Sequence, residues 1–285
     1  HMDAIGLMVK EIKDEYLFFT QVGGIDPRIL PGQLVTIHGR KEISGIVQVI
    51  PDRLLPQADA AKAPEYSRLF VDTGLKANEL KRLVQIGDII SFAQSPVSFG
   101  EEYIAGHSLD NRASVAALTV CLQELKHFNL QWNLVCVATT QEEVGGKGAY
   151  TSTFHIEPDI AIAVDVTFAK GPGSSGHETI PLGKGPTIGI GGNNHPALFN
   201  HLKNLAEELD MPYAVEPMPR SSGTDAMEMQ ITRSGIPTFV VGIPIRYMHT
   251  PVELTAINDI KRAGRLLARF ITGLDADSLT RLYAG

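Results

Sequence analysis

The sequence predicts an α/β protein that carries a separate, smaller all-β domain. The chain has 285 residues, which is long enough for one large domain or two smaller ones. Its hydrophobic and charged fractions, 44% and 20%, are those of an ordinary globular protein. The pattern changes near residue 97, from closely spaced β-rich runs to strands that alternate with helices. This change predicts the two parts.

The first block, residues 4–95, has the pattern of a small barrel or sandwich. Short runs of β-forming residues are separated by turn pairs such as Gly23-Gly24 and Pro31-Gly32. Such spacing is typical of small all-β domains. One short helix is predicted at 77–83 and a surface loop at 57–64. The predicted strands are 5–12, 16–22, 34–38, 45–49, 69–72 and 89–92.

The second block alternates apolar strands with amphipathic helices. Helices are predicted at 111–127, where Asp110 is placed as the cap, and at 196–209 and 256–274. Alternation of this kind implies a layered fold with helices on both faces of a sheet. The predicted strands are 132–139, 160–164, 187–190 and 238–241.

Composition and charge exclude several partners. Lys and Arg total 25 and Asp and Glu total 32, so the net charge is −7 and no basic cluster suggests nucleic acid. No apolar run approaches the roughly 18 residues of a membrane span, and no secretory leader opens the chain. Cys121 and Cys136 lie in apolar runs without metal-ligand spacing. We therefore expect buried thiols in a reducing cytoplasm.

Ligand-type residues lie in five short segments, mostly beside predicted strand ends. Asp110 precedes a helix, Glu142 and Glu143 follow one strand, Asp165 ends another, and His249 follows a third after a short loop. Sites in open α/β sheets gather at the carboxyl ends of strands, so these side chains could converge. The fifth segment is the amino-terminal His1-Met2-Asp3.

The chemistry of this set favours two metal ions. Two His, two Asp and one Glu suit zinc, cobalt or manganese. Five ligands are too many for one ion with an open position, and they suit two ions about 3.5–4 Å apart that share a bridging carboxylate. Glu142 is then a spare carboxylate beside a ligand, where a general base for the attacking water belongs.

Each of these residues also has an ordinary structural explanation when taken alone. Asp110 could simply cap a helix, Glu142 and Glu143 could be a solvated pair, Asp165 a turn residue, and His249 a surface or core histidine. These explanations weaken when the segments are taken together. The remaining histidines are expected to be structural, namely His38, His107, His127, His155, His177, His195 and His201.

The motifs and their order resemble those of the glutamyl and tetrahedral aminopeptidases, a family in which some members are labelled endoglucanases. HMDAIG at 1–6 is similar to the family's His-x-Asp-Glu-Ile-Gly strand, with Ala4 in place of the usual Glu. LDNR at 109–112 resembles its bridging-aspartate motif, and EEVG at 142–145 with GA at 148–149 its base-plus-ligand segment. Asp165, GTDA at 223–226 and RYMHTPVE at 246–253 match further family segments.

The resemblance implies a role for each matched residue. Asp110 would bridge two ions, with His1 and Asp165 completing one and Glu143 and His249 the other. Glu142 would be the general base. Asp3 would orient His1 from behind, as carboxylates commonly do for ligating histidines.

The resemblance also implies an architecture. The catalytic domain would be a three-layer α/β/α structure with a mixed sheet, formed by residues 1–5 and 98–285. Residues 6–97 would form an inserted barrel-like domain used in homo-oligomer assembly, with a dodecameric tetrahedral shell as one outcome. Family members carry several tens of residues before the His-x-Asp strand, so we expect an amino-terminal part of the catalytic domain to be missing here.

Together these features predict a two-metal aminopeptidase acting on peptides. A two-metal deacylase or carboxypeptidase and a non-catalytic assembly subunit are the alternatives. A glycosidase is disfavoured, because adjacent side chains such as Glu142 and Glu143 diverge, whereas glycosidases need carboxyls facing each other roughly 5–9.5 Å apart. Arg220, Ser222 and Thr224 are candidate walls of the substrate pocket, although their segment could instead be a turn that caps a helix.

Overall fold

The computed structural model describes residues 1–55, 63–174 and 180–284. Contacts divide the chain into two compact units. The sheet unit comprises His1–Asp3, Val97–Met248 and Glu253–Gly285, and the barrel unit comprises Ala4–Pro96 and His249–Val252. The predicted loop at 57–64 falls largely outside the described residues, as does His177.

The barrel unit is a closed antiparallel barrel of six strands in the order β1-β2-β5-β4-β3-β6. Alternate side chains along each strand, such as Leu17 and Phe19 on β2, point into its core and are fully buried. Among the described residues of this unit, one α-helix, α1 (Ala77–Leu83), precedes the last strand. The strands are β1 (Gly6–Lys13), β2 (Tyr16–Val22), β3 (Leu34–His38), β4 (Glu42–Val49), β5 (Leu69–Asp72) and β6 (Ile89–Phe92).

The described part of the sheet unit contains seven strands, β7 (Val97–Phe99), β8 (Tyr103–Gly106), β9 (Ala161–Phe168), β10 (Thr187–Gly191), β11 (Ala214–Met218), β12 (Thr238–Arg246) and β13 (Glu253–Ala256). The order is β11-β10-β12-β13-β8-β7, and β9 also pairs with β12. The β9–β12 and β10–β11 pairs are parallel and the others antiparallel, so the sheet is mixed. Of the nine residues of β12, all except the last are buried, as expected of a central strand.

Helices complete the sheet unit. α2 (Leu109–Leu125) packs along α6 (Ile257–Thr272), and both contribute to the main apolar core with Phe239 and Ile243 of β12. The other helices are α3 (Lys147–Ile156), α4 (Pro196–Glu208), α5 (Ala226–Gln230) and α7 (Ser278–Ala284). The predicted fold class, an α/β catalytic fold with a mixed sheet and a small all-β barrel, is confirmed.

One predicted strand is wrong. Residues 132–139 form no strand, and Leu134, Val135 and Val137 are between 37% and 57% exposed. An apolar run becomes a strand only where another strand pairs with its backbone. Among the described residues, the one backbone partner of this run is the N–H of Met2, which donates to the oxygen of Thr139. The run instead lines a cavity of about 440 Å³ together with residues of β9.

Smaller expectations also need correction. Cys136 lies in this unpaired run and is exposed, so the expected burial holds only for Cys121. Asp165 is the fifth residue of the eight-residue β9 rather than its end. The backbone at Asp110 and Asn111 is not helical, so the regular turns of α2 begin after them.

The close packing of α6 against α2 predicts that a larger residue at the contact lowers the stability of the fold. A Cβ on Gly264 would lie 2.4 Å from the main-chain oxygen of Ala117 and 2.8 Å from Cβ of Val120. We expect Gly264→Ala to lower the free energy of unfolding by about 1–3 kcal/mol, because overpacking outweighs the gain in helix propensity. Gly192→Ala is the matched control, since its Cβ would meet nothing within 4 Å. Urea denaturation of both variants measures this, and equal stabilities would contradict the packing argument.

Candidate metal centre

The ring of His1 lies at the centre of the site. Its residue is 7% exposed, and Nδ1 lies 3.0 Å from the main-chain oxygen of Asp3. Because a carbonyl oxygen can only accept, Nδ1 donates the proton of this bond, and Nε2 is the ring nitrogen that faces the carboxylates, either with a second proton or as a metal ligand. Nε2 lies 3.2 Å from Asp110, 3.5 Å from Glu142 and 3.9 Å from Asp165. A ring held in this way by the backbone has the orientation of a metal ligand.

Two carboxylates reach this point from different elements. Asp110 stands in the irregular first turn of α2, where its N–H donates to a carboxylate oxygen of Glu253 at 3.0 Å. Asn111 Nδ2 donates to the main-chain oxygen of Val164 at 3.0 Å and so ties the start of α2 to β9. Asp165, the next residue of β9, is thereby held beside Asp110.

The electrostatics of this cluster require a cation. His1, Asp110 and Asp165 are buried, and each offers a ligand atom within 4.8 Å of the others. Burial opposes protonation of His1, but the hydrogen bond to Asp110 and the charges of Asp165, Asp110 and Glu142 raise its pKa to about 10. Burial, together with the charge of Asp110, raises the pKa of Asp165 well above its usual range. One imidazole and two carboxylates of this kind fit a divalent ion of the zinc, cobalt or manganese type.

Glu142 and Glu143 lie in the turn before α3, and Asp3 holds that turn. The N–H groups of Glu142 and Glu143 donate to the two carboxylate oxygens of Asp3, each at 3.2 Å. Burial raises the pKa of Glu142 to about 7, with His1 opposing and Asp225, Asp110 and Asp3 adding to the shift. A carboxylate oxygen of Glu143 lies within 4.8 Å of one from Asp110. Asp3 therefore contacts His1 through its main-chain oxygen and through its carboxylate, which lies 3.4 Å from Nδ1, and the same carboxylate positions the acidic pair.

The remaining predicted ligand, His249, belongs to the short segment His249–Val252 of the barrel unit. Its backbone has a positive φ of 61°. Within that unit, Gly24 stands close to the ring, since a Cβ there would lie 3.2 Å from Nδ1 of His249. Its role as a ligand stays a prediction from the sequence.

The predicted pocket residues form a turn. The N–H of Ser222 donates to Oδ1 of Asn193 at 2.9 Å, and the hydroxyl of Ser222 lies 2.9 Å from that of Thr224. Thr224 in turn accepts from the N–H of Ala226 at the start of α5, at 3.3 Å. Arg220 is exposed. These contacts form a turn that leads into α5, and the proposed contact with substrate stays a prediction.

Three residues of the site carried no assigned role in the sequence prediction. Glu253 supports the backbone of Asp110, as described above. Thr139 and Asp225 share a hydrogen bond of 2.5 Å beside the His1 segment. The match of residues 223–226 to a family segment was the one available signal for Asp225, and it did not indicate what the carboxylate contacts.

Comparison with known proteins identifies the class and the family. The mixed sheet, the closed barrel and the acidic cluster at His1 define the class as a peptidase fold. The model of the M42 glutamyl aminopeptidase family matches residues 1–266, and the chain belongs to that family. This confirms the resemblance drawn from the motifs.

Individual relatives agree with this assignment. The chain is 38% identical over 271 residues to a lysyl aminopeptidase of Pyrococcus furiosus, covering 93% of this chain and 78% of that protein. A TET aminopeptidase from a marine sediment Thaumarchaeota archaeon is 28% identical with a TM-score of 0.94, covering 99% of this chain and 82% of that one.

A relative of known assembly is also similar. The TET1 peptidase of Pyrococcus horikoshii, which can assemble into a tetrahedron or a large octahedral shell, has a TM-score of 0.82 and 29% identity, covering 96% of this chain and 82% of that one. Separately, no helix among the described residues is long and apolar enough to cross a membrane.

Proposed function

We propose that the chain is a two-metal aminopeptidase that removes single residues from the amino ends of peptides. The observation that carries the proposal is the convergence of Asp110, Glu142 and Asp165 on Nε2 of His1. His1, Asp110 and Asp165 would hold one zinc, cobalt or manganese ion. On the motif evidence alone, Glu143 and His249 would serve the second ion, with Asp110 as the bridge.

The chain's own residues would carry the proton through the reaction. When bound, the ions would supply the positive charge that activates water and polarises the scissile carbonyl. Glu142 would accept the proton of the attacking water and pass it to the leaving amine. Its pKa of about 7 suits both steps, because the group can take and return a proton near neutral pH. Asp3 would keep Glu142 in place through the main-chain bond at 3.2 Å.

Substitution of Glu142 and of Glu143, one at a time, distinguishes the general base from the metal ligand. We expect Glu142→Gln to lower kcat by about 10²–10⁴-fold with metal content intact, because an amide cannot accept the proton. Glu143→Gln should lower metal content as well as activity. Kinetics and elemental analysis of both dialysed variants test this. A Glu142→Gln enzyme that keeps more than about a tenth of the wild-type rate would show that another group is the base.

Blocking the substrate's amino group tests the class of peptidase. A free amine can bind a metal ion, whereas an acetylated nitrogen is a poor ligand, so the anchor for the first residue is lost. We expect the metal-loaded enzyme to release residues in order from a free peptide and to leave its N-acetyl twin uncut, as followed by mass spectrometry. Internal cleavage, or equal cleavage of both peptides, would contradict an aminopeptidase. Release of the last residue would favour a carboxypeptidase, and loss of the acetyl group alone a deacylase.

The names of the relatives leave the preferred first residue open. The family is described as glutamyl aminopeptidases, whereas the Pyrococcus furiosus relative is a lysyl aminopeptidase. These side chains carry opposite charges, so family membership does not decide the preference. Arg220, Ser222 and Thr224 remain the proposed pocket residues, and the cytoplasm remains the proposed location.

We also propose that the chain forms a homo-oligomer through its barrel unit, with a dodecameric shell as the form. The assembly of the similar TET1 peptidase supports this proposal. Multi-angle light scattering should give about twelve times the chain mass of 30.9 kDa at micromolar concentration. A monomeric mass would contradict it.

A further inference from the structure

The backbone next to His1 is held from two sides. The N–H of Met2 donates to the main-chain oxygen of Thr139 at 2.8 Å. The oxygen of Met2 accepts from Nη2 of Arg112 at 2.9 Å. Because Met2 separates His1 from Asp3, these two bonds decide where both neighbours lie. The Met2 side chain itself is 38% exposed, so core packing does little to hold this peptide.

The position of the Thr139 carbonyl, which accepts from the N–H of Met2, depends on a hydrogen bond made by the Thr139 side chain. Thr139 ends the run 132–139, which pairs with no strand in the described parts of the chain, so its carbonyl is not held there by the hydrogen bonds of a sheet. The adjacent oxygen of Thr140 accepts from the N–H of Gly148 at 3.0 Å, which holds the chain but leaves the Thr139 peptide to be oriented. The Thr139 hydroxyl supplies that second point, since it donates to Oδ2 of Asp225 at 2.5 Å.

Burial of the Asp225 carboxylate at this position is unfavourable in free energy. Its other oxygen, Oδ1, is fully buried and has no hydrogen-bond partner among the described residues. Burial raises the pKa of Asp225, and the bond from Thr139 acts against that shift. A buried carboxylate with a single donor costs free energy that a neutral or apolar residue would not. The presence of this carboxylate is explained if it orients Thr139 so that the Thr139 oxygen can accept from the N–H of Met2.

We propose that Thr139 and Asp225 form a pair of positioning residues that hold His1 in its metal-binding orientation. The path runs from the Asp225 carboxylate through the Thr139 hydroxyl and carbonyl to the Met2 N–H and so to the His1 backbone. Neither residue is within the ligand set, and neither touches substrate in the proposed reaction. The inference rests on the proposed function, because it assigns the pair to the metal site.

Isosteric substitution of Thr139 tests the pair. Thr139→Val keeps the shape and removes the donor, whereas Thr139→Ser keeps the hydroxyl. Loss of groups that orient a ligand typically weakens metal binding 10–100-fold. We expect Thr139→Val to weaken zinc binding by about that factor and Thr139→Ser to retain most of the wild-type affinity, measured by competition with a chromophoric chelator. Thr119→Val is the matched control, since its exposed hydroxyl donates only to the oxygen of Val115 within α2.

A double-mutant cycle separates positioning from general stability. The double variant Thr139→Val, Asp225→Ala should lose less zinc affinity than the sum of the two single losses, because each substitution removes the same hydrogen bond. Urea denaturation in excess chelator reports the stability of the metal-free fold. A Thr139→Val protein with lowered metal-free stability and unchanged zinc affinity would overturn the inference, as would additive losses in the cycle. If the wild-type protein binds no zinc, the proposed function fails first and the inference with it, whereas tight wild-type binding with an unaffected Thr139→Val removes only the inference.

Discussion

Carboxylates of Asp110, Glu142 and Asp165 lie within 3.9 Å of a single ring nitrogen of His1, in a place largely removed from water. Like charges at such distances repel strongly when the surrounding medium is less polar than water. The arrangement is stable only when a positive charge is present, and the raised pKa of His1, about 10, shows that a proton can supply it. A divalent ion at the same point would supply more charge and release that proton. The rest of the sheet unit holds these groups together against their repulsion.

Several hydrogen bonds that involve the backbone provide that support, and His1, Met2 and Asp3 take part in most of them. His1, Met2 and Asp3 contact the run ending at Thr139, the turn that carries Glu142 and Glu143, and the start of α2 through Arg112. Glu253 and Asn111 add bonds that hold Asp110 and link α2 to β9. A site built in this way depends on the geometry of short irregular segments. The regular strands and helices fix where those segments begin and end.

The sequence predicts the barrel closely because local patterns suffice there. The strands at 16–22, 34–38, 69–72 and 89–92 and the helix at 77–83 have the same bounds in the structure, since turn residues and alternating burial mark them. In the sheet unit, the short strands β7, β8, β11 and β13 are absent from the sequence prediction. The run 132–139 has the composition of a strand but pairs with no strand among the residues that the structure describes, and no local sequence pattern indicates this. The bond between Thr139 and Asp225 joins residues 86 positions apart, so sequence spacing could not reveal it.

The ligand roles follow from motif order, and the structure adds the convergence of His1, Asp110 and Asp165 within one unit. Anomalous diffraction at the zinc edge, from crystals grown with zinc, tests the central claim most directly. The account predicts two peaks about 3.5–4 Å apart. One of them should lie about 2.0–2.2 Å from Nε2 of His1 and from carboxylate oxygens of Asp110 and Asp165. Crystals that show zinc bound elsewhere, with His1 Nε2 still facing the carboxylates alone, would contradict it.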